Sequence, residues 1–188
     1  MSRSSRTSQD QRPKSPGLGT WLAALFGNPA AQFSVAIHCW HRQRNDQSIY
    51  WARKASRTIP LAKVFLANQL TTHREGDAAA QAEAVAVIKE AAAGGCAEAQ
   101  QTLASYYFYG EGVPRDTVEW QRWSLKAAQN GRVECWVGLF KYYLDGEHCP
   151  VDVEQALHYC RLAAESGHPQ FLTALQIDLQ NERVLGPP

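Results

Sequence analysis

Residues 99–131 read AQQTLASYYFYGEGVPRDTVEWQRWSLKAAQNG, and this stretch decides the fold. Ala99, Leu103 and Tyr107 recur in steps of four, the spacing that lines one face of an α-helix. Gly110-Glu111-Gly112 breaks that pattern, and Asp116 with Glu119 three residues on has the form of a capping box at a new helix start. Trp120, Trp123 and Ala127 make a second apolar stripe, and Gly131 supplies the left-handed residue that ends a helix. The stretch predicts two helices joined by a short turn.

The same hairpin recurs at a fixed period. Gly95, Gly131 and Gly167 are 36 residues apart, as are Leu103, Leu139 and Leu175; the step also links Tyr107 to Tyr143, Gly110 to Gly146, Pro114 to Pro150 and Asp116 to Asp152. One row runs through four units, with Trp51, Val87, Trp123 and Tyr159 in register and Ala55, Ala91, Ala127 and Ala163 four residues later. A period in this range is the mark of a stacked repeat architecture. Alanine at fixed positions lets adjacent helices approach closely while Trp and Tyr fill the space alongside.

These residues resemble the Sel-one-like repeat (SLR) family, a relative of the tetratricopeptide repeat. The third repeat carries the pattern through Ala99, Leu103, Ala104, Tyr107, Gly110, Gly112, Val113, Asp116, Trp120, Trp123, Ala127, Ala128 and Gly131, and the fourth through Leu139, Tyr143, Gly146, Asp152, Ala156, Tyr159, Ala163, Ala164, Gly167 and His168. In the fourth, His148 and Cys149 replace the second turn glycine and the valine; repeats one and two are degenerate, and the turn of the first is shortened by a few residues. The resemblance implies an all-α, right-handed α-solenoid of about four helix-turn-helix repeats with capping helices, bounded near 29–59, 60–95, 96–131 and 132–167 and closed by a last helix over 169–181. It further implies a concave face that binds another protein or peptide. By analogy with the tetratricopeptide arrangement, that face is lined by Phe33, Ile37, Trp40 and His41 in the first repeat and by Val64, Asn68, Thr71 and Thr72 in the second. The third contributes Gln101, Ser105, Phe108 and Tyr109, and the fourth Val137, Lys141, Leu144 and Asp145. Trp40, Phe108 and Tyr109 are the strongest anchors, because aromatic side chains dominate interface hot spots.

Composition narrows the function. The formal net charge of +1 gives no strongly basic face for a nucleic-acid binder, and no run approaches the ~18 apolar residues of a membrane span. The charge is uneven: residues 1–17 hold Arg3, Arg6, Arg12 and Lys14 against Asp10, a local +3, leaving −2 for the rest. This Ser-, Arg- and Pro-rich opening is expected to be a disordered basic arm, and residues 182–188 a flexible tail. Leu18 to Phe26 is an apolar run expected to form a capping helix within 18–28, with Trp21, Leu22, Leu25 and Phe26 covering the end of the array. A secretory signal is the alternative reading of the same stretch. Five cysteines leave one unpaired, which favours the cytoplasm over export to the periplasm. Exported members of the resembling family staple neighbouring repeats with disulfides; those cysteine positions hold other residues here, although Cys135 and Cys160 are candidates to lie close.

Catalytic and metal chemistry find little support. His38, Cys39 and His41, with Glu147, His148 and Cys149 further on, are residue types that zinc takes, without the paired spacing of a zinc site. Gly110-Glu111-Gly112 lacks the preceding strand and third glycine of a phosphate loop. No serine, histidine and carboxylate are arranged as a nucleophile with its base. The expectation is a non-catalytic interaction module, an adaptor or regulator, with no cofactor and no metal. The alternative is an immunity- or inhibitor-type protein that blocks an enzyme through its convex face or turn edges, using Arg115, Glu147 and His148.

Overall fold

The computed structural model describes residues 15–170, 172 and 173. The arm up to residue 14, most of the expected last helix and the tail lie outside them; Gln170, Leu172 and Thr173 are helical. Before these, the described residues form nine helices, with no strand among the described residues: α1 (Leu18–Leu25), α2 (Pro29–His41), α3 (Asn45–Ala55), α4 (Pro60–His73), α5 (Ala78–Ala93), α6 (Ala97–Tyr109), α7 (Thr117–Gln129), α8 (Val133–Leu144) and α9 (Val153–Glu165). They fall into two compact units divided between Ile59 and Pro60. The first unit holds α1 to α3, the second the hairpins α4–α5, α6–α7 and α8–α9. The fold class is all-α, as the period predicts.

Local chemistry sets the helix starts. Asn28 accepts from the Ala31 N–H with Pro29 at the first helical position, Asp77 accepts from Ala79 and Ala80, Asp116 from Val118 and Glu119, and Asp152 from Gln155. The capping box expected at Asp116 is only half made. The Glu119 carboxylate turns outward to accept from Trp123 Nε1 and Arg122 Nη1, each at 2.9 Å, because charged and indole donors one turn along α7 satisfy both of its oxygens.

The helix ends repeat too. After Gly95, Gly131 and Gly167 the next N–H reaches back to the carbonyl of Ala91, Ala127 and Ala163 at 3.1, 2.9 and 2.9 Å, a Schellman closure. Gly27 closes α1 identically, with Asn28 N–H on the Ala23 carbonyl at 2.9 Å. Gln32 Nε2 then donates to the Ala24 carbonyl (3.1 Å), just as Gln100 Nε2 donates to the Ala92 carbonyl (3.2 Å). Thus α1 is built like the second helix of a repeat. The signal was in the sequence, since Ala23-Ala24 and Gly27 have the spacing of Ala91-Ala92 and Gly95.

That identity corrects the expected capping surface. The helix docks through Ala24, fully buried, and through Trp21, whose ring meets Trp51 edge-on at 6.3 Å; Leu25 and Phe26 are 66% and 87% exposed. The small residue wins the inward face because it allows the backbones to approach. In the second unit Leu66, Leu70, Ile88, Leu103 and Leu139 are buried beside the alanine rows, and a Trp136-centred core in the fourth repeat takes in Phe140, Leu144, Cys135 and Cys160. Truncating such a leucine costs about 2–5 kcal/mol.

Candidate functional site

Within the second unit a hollow of about 300 Å³ opens between repeats three and four. Helix α6 supplies Ser105, Phe108 and Tyr109, α7 supplies Trp120, α8 supplies Gly138, Lys141 and Tyr142, and the following turn supplies Asp145, Glu147 and His148. Its walls are rings: Phe108 lies 5.1 Å from Trp120, 6.4 Å from Tyr142 and 4.9 Å from His148, and Trp120 lies 4.5 Å from Tyr142. Tilted and edge-to-face arrangements at these distances are the favourable ones for aromatic pairs. The Arg115 guanidinium sits over Phe108, 5.6 Å from the ring centroid. Gly138 leaves the floor open, since an added Cβ there would meet nothing within 4 Å.

The fourth repeat's departure from the repeat pattern helps to build this hollow. His148 stands 36 residues after Gly112. In the third repeat the glycine lets the turn pack onto α5, where a Cβ would fall 2.7 Å from Val85 Cγ2. The histidine instead brings its ring to Phe108 and Tyr142, at 4.9 and 6.0 Å.

Of the residues expected to line a groove, Ser105, Phe108, Tyr109, Lys141 and Asp145 meet here. Gln101 is a strut, its Oε1 accepting from Arg132 Nε at 2.7 Å, and Val137 packs on the fourth-repeat core. Leu144 does not belong to the surface: it is 7% exposed, drawn into the core with Trp136 and Leu139 as the apolar face of α8 requires. On α4, Val64 is half-buried and Asn68 exposed. Thr71 and Thr72 line a second hollow of about 320 Å³ with Leu70, Arg74, Glu75, Gly76, Gln81 and Glu111. In the first unit, Phe33 and Ile37 are half-buried, while the exposed Trp40 and His41 rings meet at 4.8 Å, tilted by 44°. Sequence reasoning missed Trp120, Tyr142 and Gly138 in this role, and read Glu147 and His148 as belonging to another face.

The chemistry on offer is recognition by ring faces and charges. Ser105 donates its hydroxyl to the Gln101 carbonyl at 3.2 Å, and His148 is held by rings. Among the described residues no group of three or more His, Cys, Asp or Glu side chains is placed to hold a metal ion. Cys39 is buried with its Sγ 3.9 Å from Gln47 Oε1, and burial pushes its thiol pKa up; burial, then Arg42 and Arg44, pull that of His38 down. No disulfide joins the five cysteines, all of which are described, and burial pushes the Cys135 thiol up to about 11. No helix among the described residues is long and apolar enough to cross a membrane.

Comparison with known proteins agrees with this architecture. The Sel1 repeat model matches residues 29–57, 97–131 and 134–168, more than half of the chain, and passes over the degenerate second repeat. A protective antigen of uropathogenic Escherichia coli displaying an SLR fold is similar at 25% identity with a TM-score of 0.67, over 87% of this chain and 36% of that one. A Sel1 repeat protein from Oxalobacter formigenes is similar at 21% identity with a TM-score of 0.64, over 81% of this chain and 45% of that one. The chain thus spans less than half the length of either structure. No curated protein matches it in sequence. With the family pattern spread over three hairpins and the same helix closure recurring at each alanine pair, the chain belongs to the Sel1 repeat family.

Proposed function

We propose that this chain is a non-catalytic adaptor or regulator that captures a segment of a partner protein in the hollow between repeats three and four. Sel1 repeat proteins are generally protein-interaction modules without chemistry of their own. The observation that carries the reading is the convergence of groove positions from two repeats, Ser105, Phe108, Tyr109 and Lys141, on one aromatic-walled cavity. Half-buried rings around a recess are the usual anchors of binding energy. The odd number of cysteines favours a cytoplasmic site of action.

An inhibitor-type role is supported by the same place, because Glu147 and His148 line this hollow and Arg115 lies over its Phe108. Site-specific photo-cross-linking in cells tests the assignment. A photoreactive residue at Tyr109 should trap a protein partner, whereas one at exposed Arg161 on α9 should not. Equal trapping at Arg161, or none at Tyr109, would reject the hollow as the docking site. Whether the trapped partner is an enzyme whose activity falls on binding separates inhibitor from adaptor.

A further inference from the structure

Glu75, Glu111 and Glu147 are 36 residues apart, so the repeat places them at one equivalent position in the turns of repeats two, three and four. All three are exposed. Each lines a hollow on this turn edge: Glu75 and Glu111 the second, Glu147 with Asp145 the aromatic one. None of these four carboxylates takes part in a salt bridge among the described residues, whereas Glu90 pairs with Lys63, Glu119 with Arg122, and Glu98 with Arg132 elsewhere in the unit. The cations in or over the two linings are Arg74, Lys141 and Arg115, three against four carboxylates. A ring face attracts a cation through its quadrupole, and Arg115 over Phe108 is an instance already built into this edge.

We propose, resting on the docking role assigned above, that the partner segment is basic and extended, with one arginine or lysine entering the aromatic hollow beside Asp145 and Glu147 and further cations following the glutamate row. The glutamates recur once per helical hairpin, so the cations of the segment are spread along it and not clustered. Arginine suits the hollow better than lysine, because its planar guanidinium stacks on rings and forks to a carboxylate.

The test is fluorescence anisotropy of the full chain with labelled Gly/Ser peptides. Arginine stands at every third position of one, replaced by citrulline, a neutral isostere, in the second and by glutamate in the third. The arginine peptide should bind, the citrulline peptide roughly tenfold more weakly, and the glutamate peptide not measurably; binding should weaken as salt rises. D145N/E147Q should reduce arginine-peptide binding several-fold, and Gly138→Leu, which fills the hollow where an added Cβ meets no atom, should reduce it with helicity unchanged by circular dichroism. Citrulline or glutamate peptides binding as tightly as arginine, or arginine binding indifferent to both variants, would overturn the proposal. If a neutral peptide binds and Gly138→Leu abolishes it, the hollow survives as a docking site and only the basic partner falls. If no peptide binds and Tyr109 traps no partner, both fall together.

Discussion

Replacing Gly112 by alanine probes the packing that sets the turn edge against the preceding repeat. Gly112 has φ +69°, in the left-handed region, and a Cβ built there lies 2.7 Å from Val85 Cγ2 and 2.9 Å from Gln81 Cγ. The conformational part costs about 1–2 kcal/mol. Gln81 is exposed and swings away, but Val85 is buried in α5, so the remaining clash is an overpacking term of about 1–3 kcal/mol. The sum is about 2–5 kcal/mol, which at a urea slope of about 2–3 kcal/mol/M lowers the unfolding midpoint by about 1–2 M. Gly131→Ala is the control, since Gly131 has φ +92° and an added Cβ meets nothing within 4 Å; it should cost only the conformational part. Combining Val85→Ala with Gly112→Ala should recover part of the loss, giving a coupling energy of opposite sign to the single effects. If Gly112→Ala costs no more than Gly131→Ala, and Val85→Ala recovers nothing, the turn does not pack on α5 and the account of the turn edge is wrong.

Three further outcomes follow from the described contacts. Asp116→Ala removes the acceptor for Val118 and Glu119 N–H and should cost about 1 kcal/mol in chemical denaturation; Asn at the same position should restore most of it. Leu144→Ala should destabilise by about 2–4 kcal/mol, the cost of a core truncation, whereas a groove residue at that position would leave the unfolding midpoint unchanged. Alkaline pH should weaken the fold: the Cys135 thiol, ordinarily near 9.0, is raised to about 11 by burial, and the Tyr106 phenol, ordinarily near 10.0, to about 12 by burial and by Glu111. The folded state holds these protons when the unfolded chain releases them, so their contribution is complete below about pH 9 and is lost as pH rises through 11 and 12. Midpoints measured across that window should fall, and Cys135→Ala should flatten the earlier part of the decline; a wild-type midpoint constant to pH 12 would refute this.

Much of the fold was legible because its determinants are local. The Asp116 and Asp152 caps, the glycine closures and the alanine rows act within about one or two helical turns, so the 36-residue period exposes each of them in the bare sequence. The first helix was legible in the same way through Ala23, Ala24 and Gly27, although its apolar composition pointed instead to a covering cap. The orientation of its side chains was decided by which face could approach Trp51 and α2 closely, and that is a packing outcome.

The site was legible only in part. The tetratricopeptide analogy places Ser105, Phe108, Tyr109 and Lys141 on a common face, but cannot tell that Leu144 turns into the core or that Gln101 bonds to Arg132. The hollow exists because three helices and one turn bring Phe108, Trp120, Tyr142 and His148 within about one ring's width of each other, residues up to 40 positions apart in the chain. By itself the sequence determined a repeating α-helical hairpin and a row of glutamates in its turns, since both follow from spacing along the chain. Which aromatic side chains gather, and that they leave a cavity beside unpaired carboxylates, was decided by tertiary packing, because burial and ring contact depend on what the neighbouring repeat places opposite.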